Sequence, residues 1–232
     1  MLIPGLSNTD AEYVFVGTTA AAEVYLGTVK VWPTVTGTPG VMGEMLLINP
    51  TNTAAGQQHN VLIPAAATKV DVILIGGGGG GGDGGSLGEG EGGTCGPWKT
   101  GTYTIGASAD FPTGHILKIG TGWGGDGGQA LANTGGSRGT ESWILDKTNE
   151  YTGALLVSGG GNPNAMPDRT GATPADCLYN GRTYKGGAGG TGTLQMGQGG
   201  NAPGGGGQGG AYELTGTYGG KGGSGGCYLY FY

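Results

Sequence analysis

Residues 76–82 are seven consecutive glycines, and the glycine tracts that follow repeat a three-residue grammar. Gly81–Gly85 and Gly124–Gly128 both read Gly-Gly-Asp-Gly-Gly. Gly186–Gly190 has Ala at the third position, Gly206–Gly210 has Gln, and Gly219–Gly226 has Lys and then Ser. A period of three matches polyproline II, which has three residues per turn and rises ~3.1 Å per residue. A Gly-Gly-X tract in that conformation has two bare faces and one that carries side chains. Bare faces let backbones approach closely, and the N–H and C=O groups that point sideways must then find partners. Glycine loses more conformational freedom on ordering than any other residue, so only a dense hydrogen-bonded bundle of tracts would offset that loss.

The tracts can also be read as flexible linkers. Their placement argues for order instead. Only seven of the 60 glycines precede residue 76, and the other 53 fall in the 157 residues from 76 to 232. Leu, Ile, Val and Phe supply roughly a tenth of that stretch, too little for an oil-drop core of that size. Short apolar strings nevertheless recur between the tracts, at 101–105, 114–119, 142–145, 153–157 and 227–232. Earlier strand signals lie at 12–17, 23–32, 44–48 and 60–63. The strongest, 69–75 (Lys-Val-Asp-Val-Ile-Leu-Ile), is a nearly continuous apolar run of the kind covered on both faces. No segment has a helical pattern, and each helical glycine would cost about 1 kcal/mol. The expected fold is all-β: a small N-terminal β unit over 1–34, then an antiparallel, sandwich-like domain over 35–232 that carries polyglycine II tracts. Residues 35–43 have a linker's composition.

Few chemistries fit the residues present. Ten Lys and Arg against 16 Asp and Glu, with no basic run, exclude a nucleic-acid binder. Matches to GxGxxG carry no information where glycine is one residue in three, and no helix follows Ile75 to complete a dinucleotide site. His115 falls in a strand-like segment and is read as a sheet residue, and His59, beside Gln57, Gln58 and Asn60, as a solvated loop residue. Asp83 and Asp126 resemble calcium-binding repeats but lack the apolar residue two places on. Glu89 and Glu91 flank Gly90 in an irregular tract, which suits no glycosidase pair. Cys95, Cys177 and Cys227 are widely spaced, without zinc-ligand spacing, and are read as reduced thiols. No catalytic residue, metal or cofactor is expected. The remaining candidates are the aromatics Trp98, Trp123, Tyr184 and Tyr218, which sit in glycine-rich, loop-like settings and would either cap the ends of the bundle or contact a partner. Trp32 and Trp143 are read as core.

Three segments resemble a known family. Val24-Tyr25-Leu26-Gly27-Thr28-Val29-Lys30-Val31-Trp32-Pro33 is similar to a motif near the start of minor tail proteins of phages that infect actinobacteria. Ile63 to Ile75, with the glycine run after it, resembles the lead-in to the glycine-rich domain of those proteins, and Gly219–Gly226 followed by Cys227 to Tyr232 resembles its ending. The resemblance implies a non-enzymatic virion component at the tail tip or in a tail fibre, made in the host cytoplasm. It also implies a homotrimer and contact with the host cell envelope. On that reading residues 1–34 would attach the chain to other tail-tip proteins, and Trp98, Trp123, Tyr184 and Tyr218 are the candidate contacts to an envelope glycan or protein. Two other classes compete: a free-standing, ice-binding-like polyproline II bundle, and a tail-associated cell-wall hydrolase. The varied third residues Asp83, Asp126, Gln208 and Lys221 argue against a flat ice-binding face, and the lack of a catalytic constellation argues against a hydrolase.

Overall fold

The computed structural model describes residues 15–16, 19–20, 24–26, 29–32, 38–48, 58–85, 88–106, 110–111, 115–130, 134–146, 156–193, 195–213 and 216–232. Among these every regular element is a strand. β1 (Phe15–Val16) pairs with β2 (Thr19–Ala20), and β3 (Val24–Leu26) pairs antiparallel with β4 (Val29–Trp32). The segment 23–32, expected as one strand, is therefore two paired ones. The connecting residues of the N-terminal unit and the side chain of Trp32 lie outside the described residues. The segment expected as a linker contributes β5 (Thr38–Pro39), which runs parallel to β7 (Gln58–Leu62).

Two larger sheets follow. One has the order β12 (Leu156–Ser158), β11 (Ser142–Asp146), β10 (Ile116–Gly120), β7, β5. The other has the order β6 (Met45–Ile48), β15 (Gly226–Phe231), β8 (Lys69–Ile75), β9 (Trp98–Thr104), with antiparallel pairing throughout. Period-2 alternation sends Val70, Val72 and Leu74 of β8, and Cys227, Leu229 and Phe231 of β15, into one apolar cluster with Val61, Leu117, Ile119 and Ile144 of the other sheet. The two sheets thus share a single core. The intervening residue Ile73 faces the opposite way, into a second cluster with Tyr184 and Tyr228. That outer face is covered by the hairpin of β13 (Cys177–Tyr179) and β14 (Arg182–Tyr184), so β8 is buried on both sides, as its continuous apolar run requires.

The glycine tracts leave the sandwich from one end. Gly76 follows β8, Thr121 follows β10 and Gly159 follows β12, whereas the tracts ending at Pro97, Glu141 and Gly225 lead into β9, β11 and β15. β8 and β15 are hydrogen-bonded neighbours with Ile75 opposite Gly226, so all of 76–225 is inserted between two paired strands.

The run 76–82 lies at the centre of the tracts, and its amides change partner with a period of three. Gly77 and Gly80 donate to the carbonyls of Thr140 and Ser137, Gly78 and Gly81 to those of Gly223 and Gly220, and Gly79 and Gly82 to those of Thr94 and Glu91. In each pair the partner number falls by three as the donor number rises by three, so these three neighbours run antiparallel. The carbonyls serve other tracts: Gly125 and Gly128 donate to Gly78 and Gly81, Gly207 and Gly210 to Gly79 and Gly82, and Gly161 to Gly77. One tract therefore touches six others, three through its donors and three through its acceptors. Side chains could not be accommodated there. A Cβ on Gly77 or Gly80 would overlap the carbonyl oxygens of Trp123 and Asp126, and one on Gly78 or Gly81 those of Gly205 and Gln208. All seven glycines are buried, so this half of the domain has a core made of backbone.

Hydroxyl side chains extend the bonding where tracts carry them. The amides of Trp123, Asp126 and Gln129 donate to the hydroxyls of Thr140, Ser137 and Thr134 at 2.6, 2.7 and 3.0 Å, again with a period of three. Ser142 joins the tracts to the sandwich: its buried hydroxyl donates to the Ile75 carbonyl at 2.7 Å and accepts from the Gly122 amide at 2.9 Å.

Candidate functional site

Because the tracts consume their own polar groups, chemistry is left to side chains at their edges. The four aromatics singled out from sequence divide into two pairs. Tyr184 is not on a glycine loop: it lies in β14, is 0% exposed, and packs edge-on to Tyr228 at 5.3 Å between ring centroids. It cannot meet a partner directly. Trp98 starts β9, half-buried against the same cluster, and its indole N–H donates to the Ala175 carbonyl at 2.8 Å. These two residues fasten the hairpin to the sheet. The Tyr184 hydroxyl is buried without a hydrogen-bond partner, and burial raises its pKa. Tyr184→Phe removes a group that gains nothing from its surroundings, so thermal unfolding is expected to show stability unchanged or raised by up to about 1 kcal/mol.

Sequence reasoning missed the polar fastening beside that cluster. Asp71 is 0% exposed on the outer face of β8. Its Oδ1 accepts from Thr102 Oγ1 at 2.7 Å, Asn180 Nδ2 at 3.0 Å and the Tyr232 hydroxyl at 3.3 Å. The Arg182 guanidinium lies 4.0 Å from Oδ2 and 3.4 Å from the centroid of the Tyr230 ring. Three strands and the hairpin turn therefore converge on one buried carboxylate. The turn itself is Asn180-Gly181 with φ of +45° and +74°, the backbone of a type I′ hairpin. The dipeptide was the available signal.

Trp123 and Tyr218 are the exposed pair. Tyr218 is 53% exposed, and its carbonyl accepts from the amide of Gly197, next to Met196 at 58% exposed. Ala211, next to Tyr212 at 53% exposed, donates to Gln195. Met196, Tyr212 and Tyr218 thus stand on tracts bonded to one another at the end of the bundle remote from the sandwich, where Gly84 pairs with Thr217. Met196 and Tyr212 carry no sequence signal beyond their size.

Trp123 lies at the other end, three residues beyond the last residue of β10. It borders an open cleft of about 530 Å³ lined also by Gln58, Thr121, Arg138, Glu141 and Trp143. Trp143, expected in the core, points out of the sheet instead and is half-buried. Its indole rests on Gly120 of the adjacent strand, at a place where any Cβ would overlap the ring. Trp123 is held through its backbone, by the Thr140 hydroxyl and by the Thr140 amide, which donates to its carbonyl at 2.9 Å. The residue is 38% exposed. The Lys221 ammonium lies 5.9 Å from that ring and 3.2 Å from Asp126 Oδ1. Arg138 is anchored by its Nε–H, which donates to the Gly160 carbonyl at 3.3 Å. The Thr121 hydroxyl is buried without a hydrogen-bond partner.

A family model described as "Glycine-rich domain" matches residues 52–232, from the segment before β7 to the last residue. The chain belongs to this glycine-rich domain family. No curated protein matches it significantly. The matched span takes in the sandwich from β7 onward, the hairpin and the whole set of tracts, so the glycine-rich domain combines strands with glycine tracts rather than being a tail appended to them.

Of the two histidines, His59 is a sheet residue and His115 borders a strand. His59 is not in a solvated loop. It sits in β7 opposite Ile119, where burial lowers its pKa and its Nε2 has no hydrogen-bond partner. His115 precedes β10, and its Nδ1 lies 2.8 Å from Asp146 Oδ2. The three cysteines are free thiols. Cys227 is fully buried in the core, where burial pushes its pKa up, and Cys95 and Cys177 are half-buried. Among the described residues, no group of three His, Cys, Asp or Glu is placed to hold a metal.

Proposed function

We propose that the chain is a non-enzymatic structural component of a phage tail tip or tail fibre that contacts the host cell surface during adsorption. In this reading it assembles as a homotrimer in the host cytoplasm. Residues 1–34 attach it to other tail-tip proteins, and the glycine-rich domain projects outward, its tracts being polyglycine II helices. The observation that carries the reading is the distribution of side chains. The tracts are backbone-bonded along their length, and exposed Met196, Tyr212 and Tyr218 gather at the end remote from the sandwich. A rigid spacer with exposed apolar groups at its tip, besides those at Val41, Met45, Leu47 and Leu178 of the strand-bearing part, suits an adhesive projection, because exposed apolar patches mark contact surfaces. The resemblance of residues 24–33, 63–75 and 219–232 to minor tail proteins supports the same reading.

Antibodies raised against the purified chain, applied to particles of the phage that encodes it and imaged by electron microscopy, test the placement. Decoration confined to the tail tip is expected, and decoration of the capsid or of nothing contradicts it. Purified chain added before infection should also reduce adsorption to host cells. Full adsorption at saturating protein contradicts the contact role.

A further inference from the structure

The cleft beside Trp123 lies away from the tip residues and has a chemistry of its own. It offers two indoles, one resting on a glycine and one with the Lys221 ammonium 5.9 Å from its ring. Around them stand the guanidinium of Arg138, the carboxylate of Glu141 and the amide of Gln58. Sugar rings present apolar C–H faces and a rim of hydroxyls. Indole surfaces suit the first, since they bury large area and lose little rotamer freedom. Planar groups suit the second, because a guanidinium offers two donors side by side, a carboxylate two acceptors, and an amide a donor beside an acceptor. The cleft is open rather than enclosed, so an extended chain crosses it instead of being engulfed.

We propose that this cleft is a saccharide-binding subsite that takes a segment of cell-envelope polysaccharide across Trp123 and Trp143, with Arg138, Glu141 and Gln58 bonding its hydroxyls. A proline-rich peptide would also stack on indoles, but the charged and amide groups favour a polyhydroxylated ligand. The inference rests on the reading that the chain meets a cell envelope, and it supplies the ligand class that the tip residues do not.

The test uses the full chain with two saccharide probes, soluble chitohexaose and protein-free cell-wall sacculi. Binding is followed by tryptophan fluorescence and calorimetry for the first and by co-sedimentation for the second. Saturable binding of at least one probe is expected, weakened on the order of tenfold by Trp123→Ala, as for an aromatic anchor at a contact surface. Trp123→Ala leaves the backbone bonds to Thr140 in place and should retain the wild-type melting temperature. Trp143→Phe is a milder second variant, and Arg138→Ala and Glu141→Ala should each weaken binding several-fold. Binding of neither probe, binding insensitive to both tryptophan variants, or tryptophan-dependent binding of an octaproline peptide in place of saccharide overturns the inference. Adsorption blocking by the wild-type chain together with binding of neither saccharide probe would sink the subsite alone and leave the tail-tip reading standing. Saccharide binding without tail-tip decoration would do the reverse.

Discussion

Gly80→Ala is expected to cost about 4 kcal/mol or more, enough to leave little folded protein, although it adds a single methyl group. The added carbon would overlap the carbonyl oxygen of Asp126. That oxygen cannot retreat, because it accepts from the Ser137 amide at 2.8 Å in the next tract. In an ordinary core a new methyl displaces flexible side chains at a typical cost of 1–3 kcal/mol. Here every neighbour is backbone held by further backbone. Gly199→Ala is the matched control: that glycine is exposed, and the nearest atom to an added Cβ is the Lys221 carbonyl oxygen at 3.4 Å, an ordinary contact. It should be neutral or stabilising by up to about 1 kcal/mol, since alanine restricts the unfolded chain. Thermal melts of the two variants beside the wild type decide the matter. A Gly80→Ala melt within about 2 °C of wild type would mean that the central tract is not packed against its neighbours.

Phe231→Ala should be the most damaging truncation in the sandwich, at about 3–5 kcal/mol, or roughly 10 °C in melting temperature for a chain of this size. The ring is 0% exposed in the shared core and covers Gly40, where a Cβ would meet it at 2.6 Å. β15, which carries it, pairs with β8 on one side and β6 on the other. Losing the ring loosens the strand that closes the 76–225 insertion, so the sandwich and the tracts are expected to melt together. Met45→Ala, on β6 but 50% exposed, should change stability by no more than about 0.5 kcal/mol. Equal effects of the two substitutions would contradict the assigned core.

Much of this architecture can be read from the residues, and each failure has a physical cause. β8 was legible over its full extent, Lys69–Ile75, because a strand buried on both faces needs an unbroken apolar run. The strands near 101–105, 114–119, 142–145, 153–157 and 227–232 were legible because glycine-rich sequence adjoins them, and those near 44–48 and 60–63 from their own apolar residues. The segment 23–32 was read as one strand because the residues on both sides of Gly27-Thr28 favour β structure, and alternation does not reveal a reversal. The β13–β14 hairpin was hidden by its length: three residues on each side give no period, leaving Asn180-Gly181 as the only mark. Tyr184 was misplaced for the same reason, since Lys185 and the glycines after it look like loop. Trp143 was misplaced because Ser-Trp-Ile-Leu-Asp alternates without saying which face is inside. The answer came from Gly120 across the strand pair, which leaves room for an indole on the outer face. The triplet grammar predicted a three-residue period, but it could not say which tract lies beside which, because the tracts are nearly interchangeable. That register is set by the turns between them and by hydroxyls such as Thr134, Ser137 and Thr140.

Amide hydrogen exchange at Gly77 to Gly82 tests the central claim most directly, because a glycine-rich linker and a backbone core differ most in how long their amides stay closed. Each of these six amides donates to a carbonyl of a neighbouring tract at 2.8–3.0 Å. Protection within about tenfold of that in β8 and β15 is the predicted result, with all six opening in the same global unfolding event. Exchange at the rate of an unstructured peptide, while β8 and β15 remain protected, would contradict the account.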